Sequence, residues 1–268
     1  MSKKRLDKSL VERDVSRSRS QAKELIKKGE VLVNGIPVKK PASLVDADDE
    51  LSLLNPEKAD WVGRGGRKIW PFLESGWLSV EGAVCVDVGS STGGFTQALI
   101  RAGARSVHAV DVGEGQLAFE LRQDDRVTVM EDYNFRYADS ADFSGSPSFF
   151  TMDVSFISTT LLVEPLNEVT RNNSSGFVLI KPQFEADRDE NEEGVVKDES
   201  VVIRVLQDVL DDWRHGGWYC DALAPSPIEG PSGNLEYVAR LHRNETTVLT
   251  DTEIESVVRD NDSRVYSR

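Results

Sequence analysis

Several charged residues stand where buried strands should end. In GFVLIK, residues 176–181, four apolar residues from Phe177 to Ile180 run straight into a lysine, and Pro182 follows. An ammonium group beside a core is costly unless paired, and a proline stops the strand ladder. Lys181 therefore marks a strand end that must face something. The same pattern places Asp87 in VCVDVG, Asp111 after SVHAV, Asp132 after VTVME and Asp153 after SFFTM. A lysine among carboxylates can take a proton when neutral, or hold developing negative charge on an oxygen when charged.

The elements that must position these groups alternate. VCVDVG (84–89) precedes a predicted helix over Phe95–Ala102. SVHAVDVG (106–113) precedes one around 115–122, and VTVMED (127–132) is a third strand. SFFTMD (148–153) leads into a helix over TTLLVEPLNEVT, and GFVLIK into one near 199–214. Nearly continuous apolar strands alternating with helices predict an α/β fold, a doubly wound, Rossmann-like and mostly parallel sheet. The last two strands, YCDALAPS and LEYVARLH, are joined by PSPIEGPSGN, which is too short for a crossover helix. They are expected as an antiparallel pair, giving the sheet an antiparallel edge strand. Ligands of such sheets bind beyond the carboxyl ends of the strands, where Lys181 and the four aspartates lie.

DVGSSTGGFTQALI (87–100) joins the first strand to the first helix. Its glycines, 89, 93 and 94, do not fit G-x-G-x-x-G, and no Lys-Ser/Thr follows to make a P-loop. Glycines let a ligand approach the backbone, and an acid at the end of the second strand can bind ribose hydroxyls. Room for a nucleoside, an acid for the ribose and no pyrophosphate clamp suit S-adenosylmethionine. The expected cofactor set is Asp87, Gly89, Ser90, Gly93, Gly94, Phe95, Thr96, Asp111 and Asp132.

The net charge of −14 argues against a polyanionic partner only when the chain is taken whole. Residues 1–45 hold 12 Lys/Arg against 5 Asp/Glu, a net of +7, whereas residues 46–268 hold 20 against 41, a net of −21. That asymmetry points to a dedicated RNA-binding segment. Two short helices are expected over 5–28, the second capped by Ser16 or Ser18 and stopped by Gly29. Arg19, Lys23 and Lys27, spaced i, i+4, i+8, share one face and join Arg5, Arg17 and Lys28 as the RNA-binding set. VLVNGIPV then predicts a hairpin turned at Asn34-Gly35.

The remaining composition excludes more than it assigns. Apolar content of 39% with 29% charged residues suits a soluble protein with a core. No apolar run approaches the ~20 residues that span a bilayer, and the start lacks the apolar stretch of a signal peptide, so the expectation is a cytoplasmic protein without membrane contact. Cys85 and Cys220 sit in apolar runs as buried thiols rather than a disulfide. His108, His215 and His242 are scattered, and no metal site is expected. The predicted division is 1–55 for the basic RNA-binding domain, 56–66 for a linker, 67–243 for the catalytic domain and 244–268 for a tail, either helical at 251–259 or without structure.

DVGSSTGGFTQALI, AVDVGEGQLAFELRQDDRV, MDVSFIS, KPQFE and GNLEYV, in that order, closely resemble the TlyA family, whose members are known both as haemolysins and as ribosomal-RNA 2′-O-methyltransferases. The catalytic part is similar to the FtsJ (RrmJ) class. RLDKSLVERDVSRSRSQAKELIKKGEVLVNG resembles a small RNA-binding domain shared with a ribosomal protein and pseudouridine synthases. The resemblance covers about residues 4–242 and implies a Rossmann-like methyltransferase sheet. Its Lys-Asp-Lys-Glu tetrad falls on Lys68 in GRGGRK, Asp153 in MDVSF, Lys181 in IKPQFE and Glu236 in GNLEYV. Gly63 departs from the pattern, which has a serine there.

The implied activity is transfer of a methyl group from S-adenosylmethionine to a cytidine 2′-hydroxyl of ribosomal RNA, with ribosomal subunits as partners. Lys181 would contact the hydroxyl, with Asp153 and Glu236 pairing with it. Two other readings are an RNA- or ribosome-binding protein with a degenerate catalytic domain, and a cytolysin. A dinucleotide oxidoreductase is disfavoured by the glycine spacing.

Overall fold

The computed structural model describes residues 3–16, 18–54, 61–187, 190–191, 194–230, 233–245, 248–259 and 266–267. Two compact units divide the chain, Met1–Val62 and Gly63–Arg268.

In the first unit β1 (Lys4–Arg5) leads into α1 (Leu6–Glu12), and α2 (Arg19–Lys28) follows. Leu6, Leu10, Ala22, Leu25 and Ile26 bury the facing sides of these helices, together with Val31 and Val45. Of the two candidate caps it is Ser18 whose hydroxyl accepts the Gln21 N–H, at 3.2 Å. Gly29 stops the helix at φ +75°. β2 (Val31–Val33) and β3 (Ile36–Pro37) form the expected hairpin, with Asn34 and Gly35 both left-handed as a tight primed turn requires. β4 (Leu44–Val45) pairs with β1, and β5 (Leu51–Leu53) pairs with β2.

The second unit opens with α3 (Gly65–Glu74), a helix that the sequence pattern does not announce because two glycines begin it and Pro71 interrupts it. Ile69, Phe72 and Leu73 nonetheless follow helical spacing and are buried. The chain continues through β6 (Val84–Val88), α4 (Gly94–Arg101), β7 (Ser106–Val110), α5 (Phe119–Arg122), β8 (Val127–Met130) and β9 (Phe149–Met152). Then come α6 (Val163–Val169), β10 (Ser175–Ile180), α7 (Pro182–Glu185), α8 (Glu199–His215), β11 (Tyr219–Pro225), β12 (Tyr237–His242), α9 (Asp251–Arg259) and β13 (Tyr266–Ser267).

The sheet order is β13-β11-β12-β10-β9-β6-β7-β8. β6 to β10 run parallel, and β12 pairs antiparallel with both β10 and β11. The antiparallel pair therefore stands at one side as expected, but the reversed strand β12 lies one place in from β11. The long α8 crossover carries the chain past a vacant position, and the short 226–236 loop can only return it to the adjacent slot. β6 and β10 are buried on both faces because helices cover both. On one face Phe72 and Phe95 meet the Phe177 ring edge-on, with centroids 5.8 and 5.4 Å away. On the other the Trp213 ring stacks on Phe150 at 5.9 Å. The tail over 251–259 is helical, and Ile254, Val257 and Val258 enter this second core.

The chain winds outward from β6 through β7 to β8 and then returns to β9 on the other side of β6. That reversal places a topological switch point at the carboxyl ends of β6 and β9, the position where doubly wound sheets bind ligands.

Candidate active site

Register sets the level of the site. Val88 lies opposite both Val110 and Met152, and Val110 opposite Met130. Gly89, Asp111, Glu131 and Asp153 therefore leave their strands side by side. Gly89 turns with φ +81°, and a Cβ there would lie 2.7 Å from the Asp153 carbonyl oxygen. Only glycine lets these two loops approach so closely.

Lys181 immediately follows β10, Asp153 immediately follows β9, Lys68 lies on α3 and Glu236 immediately precedes β12. Lys181 Nζ is 2.6 Å from Asp153 Oδ1, Lys68 Nζ is 3.4 Å from Asp153 Oδ2, and Lys68 Nζ is 2.8 Å from Glu236 Oε2. Both lysines are 6% exposed and Glu236 is 2% exposed. Buried ions persist only when paired, and here the charges alternate along one chain, Lys181–Asp153–Lys68–Glu236. One expectation needs correcting. Glu236 pairs with Lys68 rather than Lys181, because α3 brings Lys68 to both carboxylates, while Lys181 donates to Ser155 Oγ at 2.9 Å.

Next to this chain Phe156 has φ +68° and is 86% exposed. A bulky side chain in the left-handed region costs of order 1–2 kcal/mol, and such strain persists where the surroundings impose it. Its ring lies 4.9 Å from that of Phe184, over which Lys181 Nζ sits at 5.8 Å. Neither Ser155 nor Phe156 carries a spacing signal in the sequence, since their importance comes from the turn that follows β9.

The glycine loop divides into a floor and a surface. Asp87, expected among the cofactor contacts, is fully buried. Its oxygens accept from Thr96 Oγ1 at 2.6 Å and Thr151 Oγ1 at 2.8 Å, so it ties α4 and β9 beneath the loop. Phe95 and Thr96 are likewise buried, and Gly93 and Gly94 pack against Leu121 and α3 respectively. On the surface side, Asp111 Oδ2 accepts the Ser91 N–H and Oδ1 accepts the Gly113 N–H, both at 2.8 Å. Ser90 Oγ is buried and without a partner among the described residues. Asp132 is exposed, in a left-handed turn at φ +53°. A nucleoside cofactor fits these groups, offering hydroxyls to Asp111 and a polar atom to Ser90.

The helix expected around 115–122 is confined to α5, and Glu131 is the reason. Its carboxylate accepts the N–H groups of Gly115, Gln116 and Leu117 at 2.8–2.9 Å. Arg122 stands 2.5 Å away, so these donors hold the Glu131 carboxyl well below its usual range. The loop after Asp111 is therefore clamped to the end of β8. Gly63, where a serine was expected, lies against Thr92, and a Cβ there would be 2.2 Å from Thr92 Oγ1.

Burial pushes the Asp87 carboxyl up to about 6, against the two threonine hydroxyls that favour its ionised form. The folded state thus holds this proton more tightly than the unfolded chain does. Ionised Asp87 opposes folding above about pH 6, and that penalty fades as pH falls toward 4. Relative to Asp87→Asn, the wild type should gain roughly 2 kcal/mol of stability between pH 7.5 and 4.5. Urea unfolding of both proteins at the two pH values checks this, and a pH-independent difference would remove the effect.

In the first unit Arg5 and Arg19 are not free cations. Asp7 is fully buried and accepts Arg5 Nε at 2.9 Å, Arg5 Nη2 at 3.1 Å and Arg19 Nη2 at 2.9 Å. Lys28 pairs with Glu24, whereas Lys23 and Lys27 are exposed. Arg17 lies outside the described residues.

A glycine loop at the switch point, a lysine–carboxylate chain beside it and the reversed strand β12 define a methyltransferase of the Rossmann-like class. Residues 61–243 match the FtsJ-like methyltransferase family, and residues 4–51 match the S4 domain. The chain is 43% identical over 243 residues to YqxC of Bacillus subtilis, described as a candidate rRNA methyltransferase, covering 90% of this chain and 86% of that one. It is 37% identical over 255 residues, 95% of each chain, to the 16S/23S rRNA (cytidine-2′-O)-methyltransferase TlyA of Mycobacterium tuberculosis. A candidate hemolysin of solved structure from Streptococcus thermophilus superposes with a TM-score of 0.77 at 40% identity, covering 97% of this chain and 96% of that one. The chain belongs to the TlyA family of rRNA methyltransferases. Among the described residues no helix is long and apolar enough to cross a membrane.

Proposed function

We propose that this protein transfers a methyl group from S-adenosylmethionine to a ribose 2′-hydroxyl of a ribosomal-RNA cytidine, working in the cytoplasm on ribosomal subunits. The observation that carries this reading is the buried Lys181–Asp153–Lys68–Glu236 chain beside the glycine loop. S-adenosylmethionine, when bound, supplies an electrophilic methyl group. Asp111 and Ser90, with the loop backbone at Gly89, would hold it. The protein's own groups do the rest.

A ribose hydroxyl is a very weak acid, so its oxygen must be oriented and its proton or developing charge accommodated. Lys181 Nζ faces that oxygen, either taking the proton or holding the negative charge. Asp153 fixes Lys181 in place. Lys68 and Glu236 keep Asp153 from acting as an unscreened anion next to an RNA phosphate. Phe156 and Phe184 offer the aromatic surface on which an unstacked base is held. The Asp7-clamped arginines and the exposed lysines of α2 bind the RNA backbone.

The test is direct. Purified protein is incubated with each ribosomal subunit and isotopically labelled S-adenosylmethionine, and 2′-O-methyl positions are mapped on the recovered RNA. A single new 2′-O-methylcytidine per modified subunit is expected. Methylation on a base, or calorimetry that detects no cofactor binding, would overturn the reading.

A further inference from the structure

Lys181 is held by two partners, and the second of them has no place in the tetrad. We infer that Ser155 is a positioning residue for methyl transfer, orienting the Lys181 amino group toward the substrate hydroxyl. The inference rests on the 2′-O-methyltransferase reading given above.

Lys181 Nζ lies 2.6 Å from Asp153 Oδ1 as an ion pair, yet among the described residues Asp153 Oδ1 accepts no hydrogen bond. The amino group donates its hydrogen bond to Ser155 Oγ, at 2.9 Å. An ion pair attracts without setting an angle, whereas a hydrogen bond aligns the N–H with its acceptor, so it is Ser155 that orients the amino group. With Asp153 alone the amino group could swivel about that single contact, and a lysine side chain has up to about 2 kcal/mol of rotamer freedom to regain.

The segment carrying Ser155 is built to hold it there. At one end the Asp153 N–H donates to the Val88 carbonyl at 3.0 Å. At the other, Glu185 accepts the Thr159 N–H at 2.8 Å and the Thr159 hydroxyl at 2.9 Å. Glu185 is four residues beyond Lys181, so both flanks of the Lys181–Ser155 contact are tied to each other. The left-handed turn at Phe156 follows directly on Ser155. Ser155 itself is exposed, so losing its hydroxyl leaves no cavity in the core.

The experiment compares Ser155→Ala and Ser155→Thr with wild type, measuring kcat, KM for RNA and for S-adenosylmethionine, and Tm. Threonine keeps an oxygen at the same branch. In Ser155→Ala, kcat should fall about 10- to 100-fold, the range of a hydrogen bond to a charged group. Both KM values and Tm should stay close to wild type. Ser155→Thr should recover most of the lost rate. If kcat of Ser155→Ala stays within twofold of wild type, if the loss lies in KM or follows Tm, or if threonine is as slow as alanine, the positioning role is wrong. Absence of 2′-O-methylation by the wild type fails the parent reading instead, so the two failures are separable.

Discussion

Lys181→Ala should lower methyl transfer by about 10³-fold or more while leaving affinity for S-adenosylmethionine nearly unchanged. The rate loss follows from removing the group that the proposed mechanism sets against the attacking oxygen. The unchanged affinity follows from position, because Lys181 stands at the end of β10, whereas Ser90, Gly89 and Asp111 lie around β6 and β7. Nor should the variant unfold, since Asp153 keeps Lys68 at 3.4 Å and is not left as an isolated buried charge. Lys181→Arg should not restore the rate. A guanidinium cannot serve as a base, and its planar fork would take Asp153 by both oxygens and pull away from the ribose. Single-turnover transfer assays and calorimetry with the cofactor read the two quantities separately. Turnover near the wild-type value in Lys181→Ala would take this lysine out of the mechanism.

Whatever depends on strand periodicity was legible in the sequence, and whatever depends on where a helix or loop comes to rest was not. The apolar runs before Asp111, Asp153 and Lys181 place all three at strand ends, because a charge inside a strand buried on both faces is costly unless local partners satisfy it. The same logic misplaced Asp87. One residue before the strand ends, it turns into the floor, where two threonines from different elements satisfy it. No local pattern foretells those partners. The pairing of Glu236 with Lys68 likewise follows from α3, whose glycines and Pro71 conceal a helix that tertiary burial of Ile69, Phe72 and Leu73 supports. The loop after Asp111 looked helical, but Glu131 takes three N–H groups that a helix would have used elsewhere. Among the N-terminal cations, charge counting could not separate Arg5 and Arg19, both pinned by a buried carboxylate, from the exposed Lys23 and Lys27.

That last distinction leads to an expected result of unusual sign. Asp7→Asn removes a negative charge from the unit proposed to bind RNA, and by charge alone RNA affinity should rise. We expect it to fall about tenfold. Asp7 is fully buried and engages Arg5 through both carboxylate oxygens and Arg19 through one. The arginines hold its carboxyl far below the usual range, so it is ionised throughout the working pH range. Each guanidinium spends one or two of its five N–H groups on Asp7, while the Arg5 and Arg19 side chains stay 43% and 50% exposed, so the clamp fixes cations that a phosphate can still reach. Without the carboxylate, both side chains regain rotamer freedom worth up to about 2 kcal/mol each, which binding must then overcome. The depressed carboxyl also stabilises the unit above about pH 4, and that contribution is lost as pH falls through the folded-state value. Asp7→Asn should therefore melt somewhat lower as well, and RNA binding is measured well below that Tm. Lys23→Ala, which loses a cation under no such clamp, should cost less than about threefold. Titrating both variants with ribosomal RNA across a salt series separates the two causes. If the clamp matters, Asp7→Asn binds more weakly than wild type at every salt concentration, with a slope of log K against log salt that is shallower by about one or two contacts. If only charge matters, it binds more tightly at low salt, and the orienting role of Asp7 is wrong.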